Sequence, residues 1–174
     1  MPRIHSMMLF SCRSPFLDDS KVYPPLANLY LKAFLNVHRP NVVVTLGDDD
    51  YDVSNLEAIG SYDLVGICIL TPQRQEASSL AQAIKARWPN KVVVAGGPHV
   101  RHYSEALAAE KWWDFLVPAD GERALLGIVD GCAEGKIVFD RLTSTEVAAL
   151  PRPDRTSDEA QRVLRRYCYY LGSM

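Results

Sequence analysis

The chain of 174 residues lacks the features that most quickly place a protein in a membrane, secreted or nucleic-acid-binding class. No apolar run reaches the roughly 18 residues of a membrane-spanning helix. Residues 1–12 also lack the long apolar region and cleavage site of a secretory signal. The 19 basic and 21 acidic residues nearly balance and nowhere form a run of five like charges. We therefore expect a cytoplasmic protein with no nucleic-acid partner and no membrane partner.

Common motifs of metal, redox and nucleotide chemistry are missing as well. The four cysteines, Cys12, Cys68, Cys132 and Cys168, lie far apart and form no CxxC pair. They predict reduced thiols rather than a zinc site or a disulfide framework. Neither GxGxxG nor the P-loop motif is present, which argues against the usual nucleotide-binding folds. No Ser/His/Asp or Cys/His set stands out by its spacing, so we assign no catalytic residue and no metal ligand.

Short apolar segments recur along the chain and are typical of buried parallel strands. The five predicted strands cover residues 4–10, 41–46, 63–70, 91–95 and 115–117, with a candidate edge strand at 136–140. Segments of helical periodicity alternate with them, at residues 26–37, 54–59, 71–88, 104–111, 122–130 and 158–170. This alternation predicts a Rossmann-like α/β fold, a doubly wound parallel sheet of about five strands between two helical layers. The flavodoxin-like strand order 2-1-3-4-5 is expected.

Two parts of the chain differ in character. Residues 1–148 contain the alternating strands and helices, and we expect them to form one domain. Residues 149–174 begin with Pro151 and Pro153, each of which disfavours a helical conformation in the residue before it. They are interpreted as a proline-containing linker and a C-terminal tail.

In such a sheet, ligands bind outside the carboxyl ends of the strands, at the switch between the first and third. Residues 11–23, 70–73, 96–99 and 120–122 are expected to meet at that edge. Gly96 and Gly97 carry no side chain, so a flat or phosphate-bearing group can approach the backbone there. The same glycines also fit an ordinary turn, and both interpretations stay open on the residues alone.

The polar residues of this edge are ambiguous by themselves. His99 fits a base or a ligand-binding group, and it also fits a hydrogen-bonded surface histidine. Glu122 stands at a helix start, where the helix dipole favours a carboxylate whatever its function. The acidic residues 48–50 and 52 are interpreted as a solvated turn rather than a cation site, because consecutive side chains rarely face one centre.

A series of short motifs, taken in order, resembles the N-terminal cobalamin-binding region of the cobalamin-dependent radical SAM enzymes. The resemblance covers residues 4–155. The motifs are Pro24-Pro25-Leu26 with Tyr30-Leu31, Asp63-Leu64-Val65-Gly66-Ile67, Leu70-Thr71 with Ala81, Ile84-Lys85 and Pro89, Gly96-Gly97-Pro98-His99, Asp120-Gly121-Glu122, and Leu150-Pro151-Arg152-Pro153-Asp154-Arg155.

The resemblance implies a sheet that lays the corrin ring of cobalamin (vitamin B12) across its carboxyl edge and buries the dimethylbenzimidazole tail alongside. By position, Gly96 and Gly97 make room for the tail, with Pro98 following them. Leu70, Thr71 and Gln73 line the corrin or the tail, and His99, Asp120, Gly121 and Glu122 contact its edge. The family usually has Gly-Glu-Gly-Glu where this chain has Ala119-Asp120-Gly121-Glu122, so one glycine is absent.

Two family motifs are absent. Residues 11–23 contain no histidine and no DxHxxG, so the resemblance implies base-off cobalamin without a protein histidine on cobalt. The CxxxCxxC of the iron–sulfur cluster should follow residues 151–155, where Cys168 is the sole cysteine. Neither the cluster nor SAM is therefore expected on this chain.

These observations lead to one main expectation and two alternatives. The main expectation is a cobalamin-binding domain, not catalytic alone, that is either a piece of a radical SAM methyltransferase or a separate carrier serving a radical SAM partner. The first alternative is a flavodoxin-like interaction or sensing module without a cofactor. The second is a small-molecule transferase that uses Glu122 or His99 as its base.

Overall fold

The computed structural model describes residues 3–13, 24–47, 51 and 53–166. Within them, five strands form one parallel sheet in the order β2-β1-β3-β4-β5. The strands are β1 (Ser6–Ser11), β2 (Val43–Leu46), β3 (Leu64–Cys68), β4 (Val92–Gly96) and β5 (Phe115–Val117). The predicted sheet and its flavodoxin-like order are confirmed.

Six α-helices and two short 3-10 helices accompany the strands in the described part of the chain. The α-helices are α1 (Leu26–His38), α2 (Arg74–Arg87), α3 (Pro98–Leu107), α4 (Gly121–Val129), α5 (Ser144–Ala148) and α6 (Asp158–Leu164). The 3-10 helices are Val53–Ile59 and Thr71–Gln73. None of the described helices is long and apolar enough to cross a membrane.

Helices cover both faces of the sheet, which gives the predicted three layers. Side chains alternate along β3, because successive residues of a strand point to opposite faces. Val65 and Ile67 pack with α2 and α3, whereas Leu64 packs with α1, α4 and α6. The strands β1, β3 and β4 are buried on both sides, which explains their continuous apolar sequences. The edge strand β2 buries Val44 and Leu46 on one side, while Val43 is 62% exposed on the other.

Helix α3 begins six residues before the predicted start at Ser104. Gly97 has φ +94°, and Pro98 occupies the first turn of the helix directly after it. Proline suits that position because its fixed φ is helical and the first turn needs no N–H donor from it. The helix ends at Leu107, so the predicted helix over 104–111 was misplaced.

Residues 136–140 do not form a strand of the sheet. Only Ile137 makes a parallel bridge, to Leu116 of β5. The Leu116 N–H donates to the Lys136 carbonyl at 2.7 Å, and the Val138 N–H donates to the Leu116 carbonyl at 2.8 Å. The prediction of an edge strand over 136–140 is therefore wrong, because this segment forms only one isolated bridge with β5.

Helix α6 returns to the sheet after the proline-containing segment. Val163 and Leu164 are completely buried in the core shared with α1 and α4. Glu159 accepts a hydrogen bond from the Leu46 N–H at 3.0 Å and forms an ion pair with Lys32 of α1. The division of the chain at residue 148 stays a prediction, and residues 158–164 contact β2 of the sheet.

Candidate functional site

A cavity of about 240 Å³ lies at the carboxyl edge of the sheet, on the face covered by α1 and α4. Side chains of β1, β3, β4 and β5 form its floor, and the two helices form its walls. Most of its lining surface is apolar. The lining residues that matter below are Asn28, Gly96, Gly97, Asp120, Gly121 and Glu122.

A glycine at the end of β4 keeps this cavity open, because it has no side chain to fill the space. A Cβ on Gly96 would find only the Val117 carbonyl oxygen within 4 Å among the described residues, at 3.7 Å. Gly66 is different, because its Cβ would lie 2.6 Å from the Leu9 side chain. Leu9 thus occupies the space above Gly66, whereas no side chain of the described residues enters the space above Gly96.

Gly97 serves the turn between β4 and α3. Its φ of +94° is a conformation that favours glycine. A Cβ there would lie 2.8 Å from the Cys68 Sγ and 2.9 Å from the Ile69 nitrogen. Two backbone hydrogen bonds hold Ile69 close to this turn. The Ile69 N–H donates to the Gly96 carbonyl at 2.8 Å, and the His99 N–H donates to the Ile69 carbonyl at 3.0 Å.

The N-terminus of α4 brings two carboxyl groups to the cavity. Burial raises the pKa of Glu122 and the neighbouring Asp120 raises it further, although backbone N–H groups of Glu122 and Gly121 oppose both effects. Asp120 accepts a hydrogen bond from the Leu142 N–H at 2.8 Å and so ties the segment before α5 to this edge. Glu122 also lines a neighbouring pocket with Tyr30, so it lies between two open spaces.

Asn28 is a cavity residue that the sequence did not point out. It lies in α1 and is 4% exposed. In the described part of the chain, no hydrogen bond joins its side chain to another residue, and its amide atoms are not among the fully enclosed polar atoms that lack a partner. The sequence spacing could have pointed to it. Asn28 stands three residues before Leu31 and seven before Leu35, so it lies on the inward face of α1 as a polar residue among apolar ones.

The other predicted site residues lie away from the cavity lining, on the α2 and α3 side of the same edge. Gln73 is buried, accepts from the Leu70 N–H at 2.9 Å and donates to the Cys12 carbonyl. Both contacts connect segments of this chain, so Gln73 has a structural role. Leu70, Thr71 and Pro98 are exposed.

His99 is 5% exposed, and its ring contacts Thr71 and Tyr103. Its Nδ1 lies 3.4 Å from the Thr71 hydroxyl, and its ring centroid lies 4.8 Å from that of Tyr103. Burial lowers the pKa of His99, and the positive charge of Arg74 lowers it further. The imidazole is therefore neutral at pH 7. Because His99 does not line the cavity, it forms no acid–base pair with Glu122 there.

The described residues offer neither a metal-binding cluster nor a thiol with a lowered pKa. No group of three or more His, Cys, Asp or Glu side chains in those ranges has a geometry that could hold a metal ion. Cys68 lines the cavity, and burial raises the pKa of its thiol despite a hydrogen bond with Ser11. The predicted loop at 14–23 and the acidic residues 48–50 and 52 lie outside the described residues.

No protein-family model matches the chain. A stretch of 80 residues is 32% identical to part of the anaerobic magnesium-protoporphyrin IX monomethyl ester cyclase of Rubrivivax gelatinosus. The aligned stretch covers 45% of this chain and 14% of the cyclase. The chain thus spans a small part of that enzyme's length.

Proposed function

We propose that the chain is a cobalamin-binding module that holds the corrin ring on the carboxyl edge of the sheet and the nucleotide tail in the cavity beside β4. The observation that carries the proposal is the open space above Gly96. It lies at the strand ends next to the switch between β1 and β3, where folds of this type bind ligands.

The size and lining of the cavity suit the base of such a tail. An engineered cavity of about 150 Å³ with aliphatic walls takes a benzene ring. The present cavity, at about 240 Å³, has room for a larger flat group of two fused rings. Aliphatic side chains from the sheet and from both helices would cover its faces. This fit is the physical support for placing the tail here.

The remaining predicted residues divide between the two parts of the ligand. Gly96, Gly97, Asp120, Gly121 and Glu122 line the cavity and are proposed to surround the tail. Leu70, Thr71 and Pro98 are exposed at the strand ends and are proposed to lie under the corrin, with Gln73 supporting Leu70. We assign no cobalt ligand to His99, because its ring is buried between Thr71 and Tyr103. Base-off cobalamin without a protein histidine is the proposed state.

Similarity to known proteins points the same way. The motif series resembles the cobalamin-binding region of cobalamin-dependent radical SAM enzymes, and the partial match to the cyclase gives some support to a vitamin B12-binding module. In the enzymes that the chain resembles, cobalamin carries a methyl group. The chain's own residues would bind and orient that carrier for a radical SAM catalytic domain or partner protein.

Retention of cobalamin tests the proposal directly. The purified protein is mixed with hydroxocobalamin or methylcobalamin, desalted, and examined by its visible spectrum. We expect one corrinoid per chain with a base-off spectrum. A protein that elutes colourless would overturn the proposal and favour an interaction module without a cofactor.

A further inference from the structure

Asn28 presents an unusual feature for a residue in a helix that packs on a sheet. The residue is only 4% exposed, and no other described residue hydrogen-bonds to its side chain. Its amide atoms keep some contact with the solvent of the cavity, because among the described residues Glu76 Oε2 is the fully enclosed polar atom that lacks a partner. A ligand that fills the cavity would displace this water, and the amide would then lose its hydrogen bonds unless the ligand replaced them. Asn28 lines the cavity, so a molecule held there is the natural partner for its amide.

The neighbouring polar groups of the cavity have other roles or positions. Asp120 is engaged by the Leu142 N–H, and the Cys68 thiol is kept protonated by burial. Glu122 is less buried than Asn28 and also faces the adjoining pocket. Among the described lining residues, Asn28 thus supplies the neutral amide, which donates and accepts hydrogen bonds more strongly than the Cys68 thiol.

We propose that Asn28 determines which base the site accepts, by hydrogen bonding an in-plane ring nitrogen of a flat two-ring nitrogen heterocycle. This inference rests on the proposed function. A benzimidazole that is not bonded to cobalt has a ring nitrogen with a free lone pair, and a purine base offers the same kind of acceptor. The amide Nδ2 of Asn28 supplies the donor, while a phenol base has no ring nitrogen to receive it.

The first experiment separates the tail from the rest of the ligand. Cobinamide has the corrin ring of cobalamin but lacks the nucleotide tail, so the two are titrated against wild type and Asn28→Leu. Leucine has a similar shape and no hydrogen-bonding group. We expect Asn28→Leu to bind cobalamin about five- to tenfold more weakly, the effect of one hydrogen bond, and to bind cobinamide with unchanged affinity.

The ligand-free protein supplies a readout that a merely structural asparagine would not give. Leucine gives up no hydrogen bond to another described residue and adds apolar contact with the aliphatic lining, so we expect ligand-free Asn28→Leu to have a Tm at least as high as that of wild type. Asn36→Leu is the matched control, because Asn36 is exposed on the same helix. It should leave the affinity for both corrinoids unchanged.

A second series tests the nature of the base. Cobamides with benzimidazole, adenine or phenol as the base are compared in both proteins. We expect wild type to favour the two nitrogen heterocycles over the phenol and Asn28→Leu to lose that preference. Whichever heterocycle shows the larger loss identifies the preferred base.

The failures of the two proposals are distinguishable. Wild type that retains cobalamin, with Asn28→Leu equally tight, would overturn the role of Asn28 alone. Equal weakening of cobalamin and cobinamide, or a lower Tm of the ligand-free variant, would do the same by showing a structural role. Wild type that retains neither corrinoid would overturn the proposed function and the role of Asn28 with it.

Discussion

Gly97 faces the thiol of Cys68 so closely that a Cβ on Gly97 would lie 2.8 Å from the Cys68 Sγ. The adjacent Gly96 has no such neighbour among the described residues, and its Cβ position lies 3.7 Å from the Val117 carbonyl oxygen. The two glycines therefore have separate roles. Gly97 permits the turn into α3, and Gly96 leaves the cavity open.

Alanine at each position should distinguish these roles. Gly97→Ala is expected to lower the free energy of unfolding by about 1–3 kcal/mol, because a strained backbone conformation and a clash add together. Gly96→Ala should stay within about 1 kcal/mol of wild type, since its backbone is ordinary strand. Urea unfolding followed by circular dichroism measures both. Equal losses in the two variants would contradict the assignment.

A larger side chain at Gly96 should close the cavity without unfolding the sheet. We expect Gly96→Leu to keep the far-ultraviolet spectrum of wild type, because the leucine side chain has open space to enter. It should bind cobalamin roughly tenfold or more weakly, a loss of about 1.4 kcal/mol, because leucine would occupy the space proposed for the tail. Gly127→Leu is the matched control, as a Cβ on Gly127 meets only the Ala133 nitrogen, at 4.0 Å, among the described residues. Equal binding by both variants would place the ligand elsewhere.

Asp63 should make stability depend on pH in the acid range. Burial alone would raise the pKa of Asp63, but hydrogen bonds from the backbone N–H groups of His5 and Ser6, at 2.8 and 2.9 Å, outweigh it and lower the pKa. Its stabilising contribution is present above the unfolded pKa of about 3.9 and is lost as pH falls through the lower folded pKa. Asp63→Asn should flatten this loss in urea unfolding between pH 5 and 2. An unchanged pH profile would count against it.

Glu122 should act in the opposite direction. Burial raises the pKa of its carboxyl, so folding favours the protonated form. That contribution is present below the unfolded pKa of about 4.3 and is lost as pH rises through the raised folded pKa. We expect Glu122→Gln to be more stable than wild type at pH 7, with the difference shrinking towards pH 4. The exposed Glu105→Gln serves as control, and a stability gain of the same size there would refute the explanation.

Leu164 should show that α6 unfolds together with the sheet. Its side chain is fully buried with residues of α1 and α4, so Leu164→Ala is expected to cost about 2–5 kcal/mol. The exposed Arg165→Ala should change stability by less than about 0.5 kcal/mol. A single unfolding transition with a lower midpoint in Leu164→Ala would confirm cooperation, and an unchanged midpoint would exclude it.

The sheet was predictable because its central strands β1, β3 and β4 are buried on both faces, although the edge strand β2 exposes Val43. Each of them is a continuous apolar run, and their alternation with helices allows few topologies. Helix α3 was misplaced because only His99, Val100 and Leu107 of it are buried. With so few buried positions, the sequence of α3 shows little helical periodicity in its apolar residues. In addition, Gly97-Pro98 was interpreted as a turn rather than as the start of a helix.

The site was less predictable, since its properties depend on neighbours in space. Nothing in a Gly-Gly pair indicates that one residue meets Cys68 and the other meets open space. Asn28 was overlooked because pattern analysis counts apolar positions and passes over a polar residue among them. Whether such a residue is paired depends on side chains far away in the sequence.

The end of β4 has an evolutionary consequence. Among the described residues, Gly96 is aligned with Cys68 on one side and Val117 on the other, and none of the three fills the space above it. A substitution there is expected to change the cobalamin binding that we propose, while leaving strand pairing intact. In chains that share this sheet, the residue at the position of Gly96 should separate ligand carriers from domains that have kept the scaffold and lost the ligand.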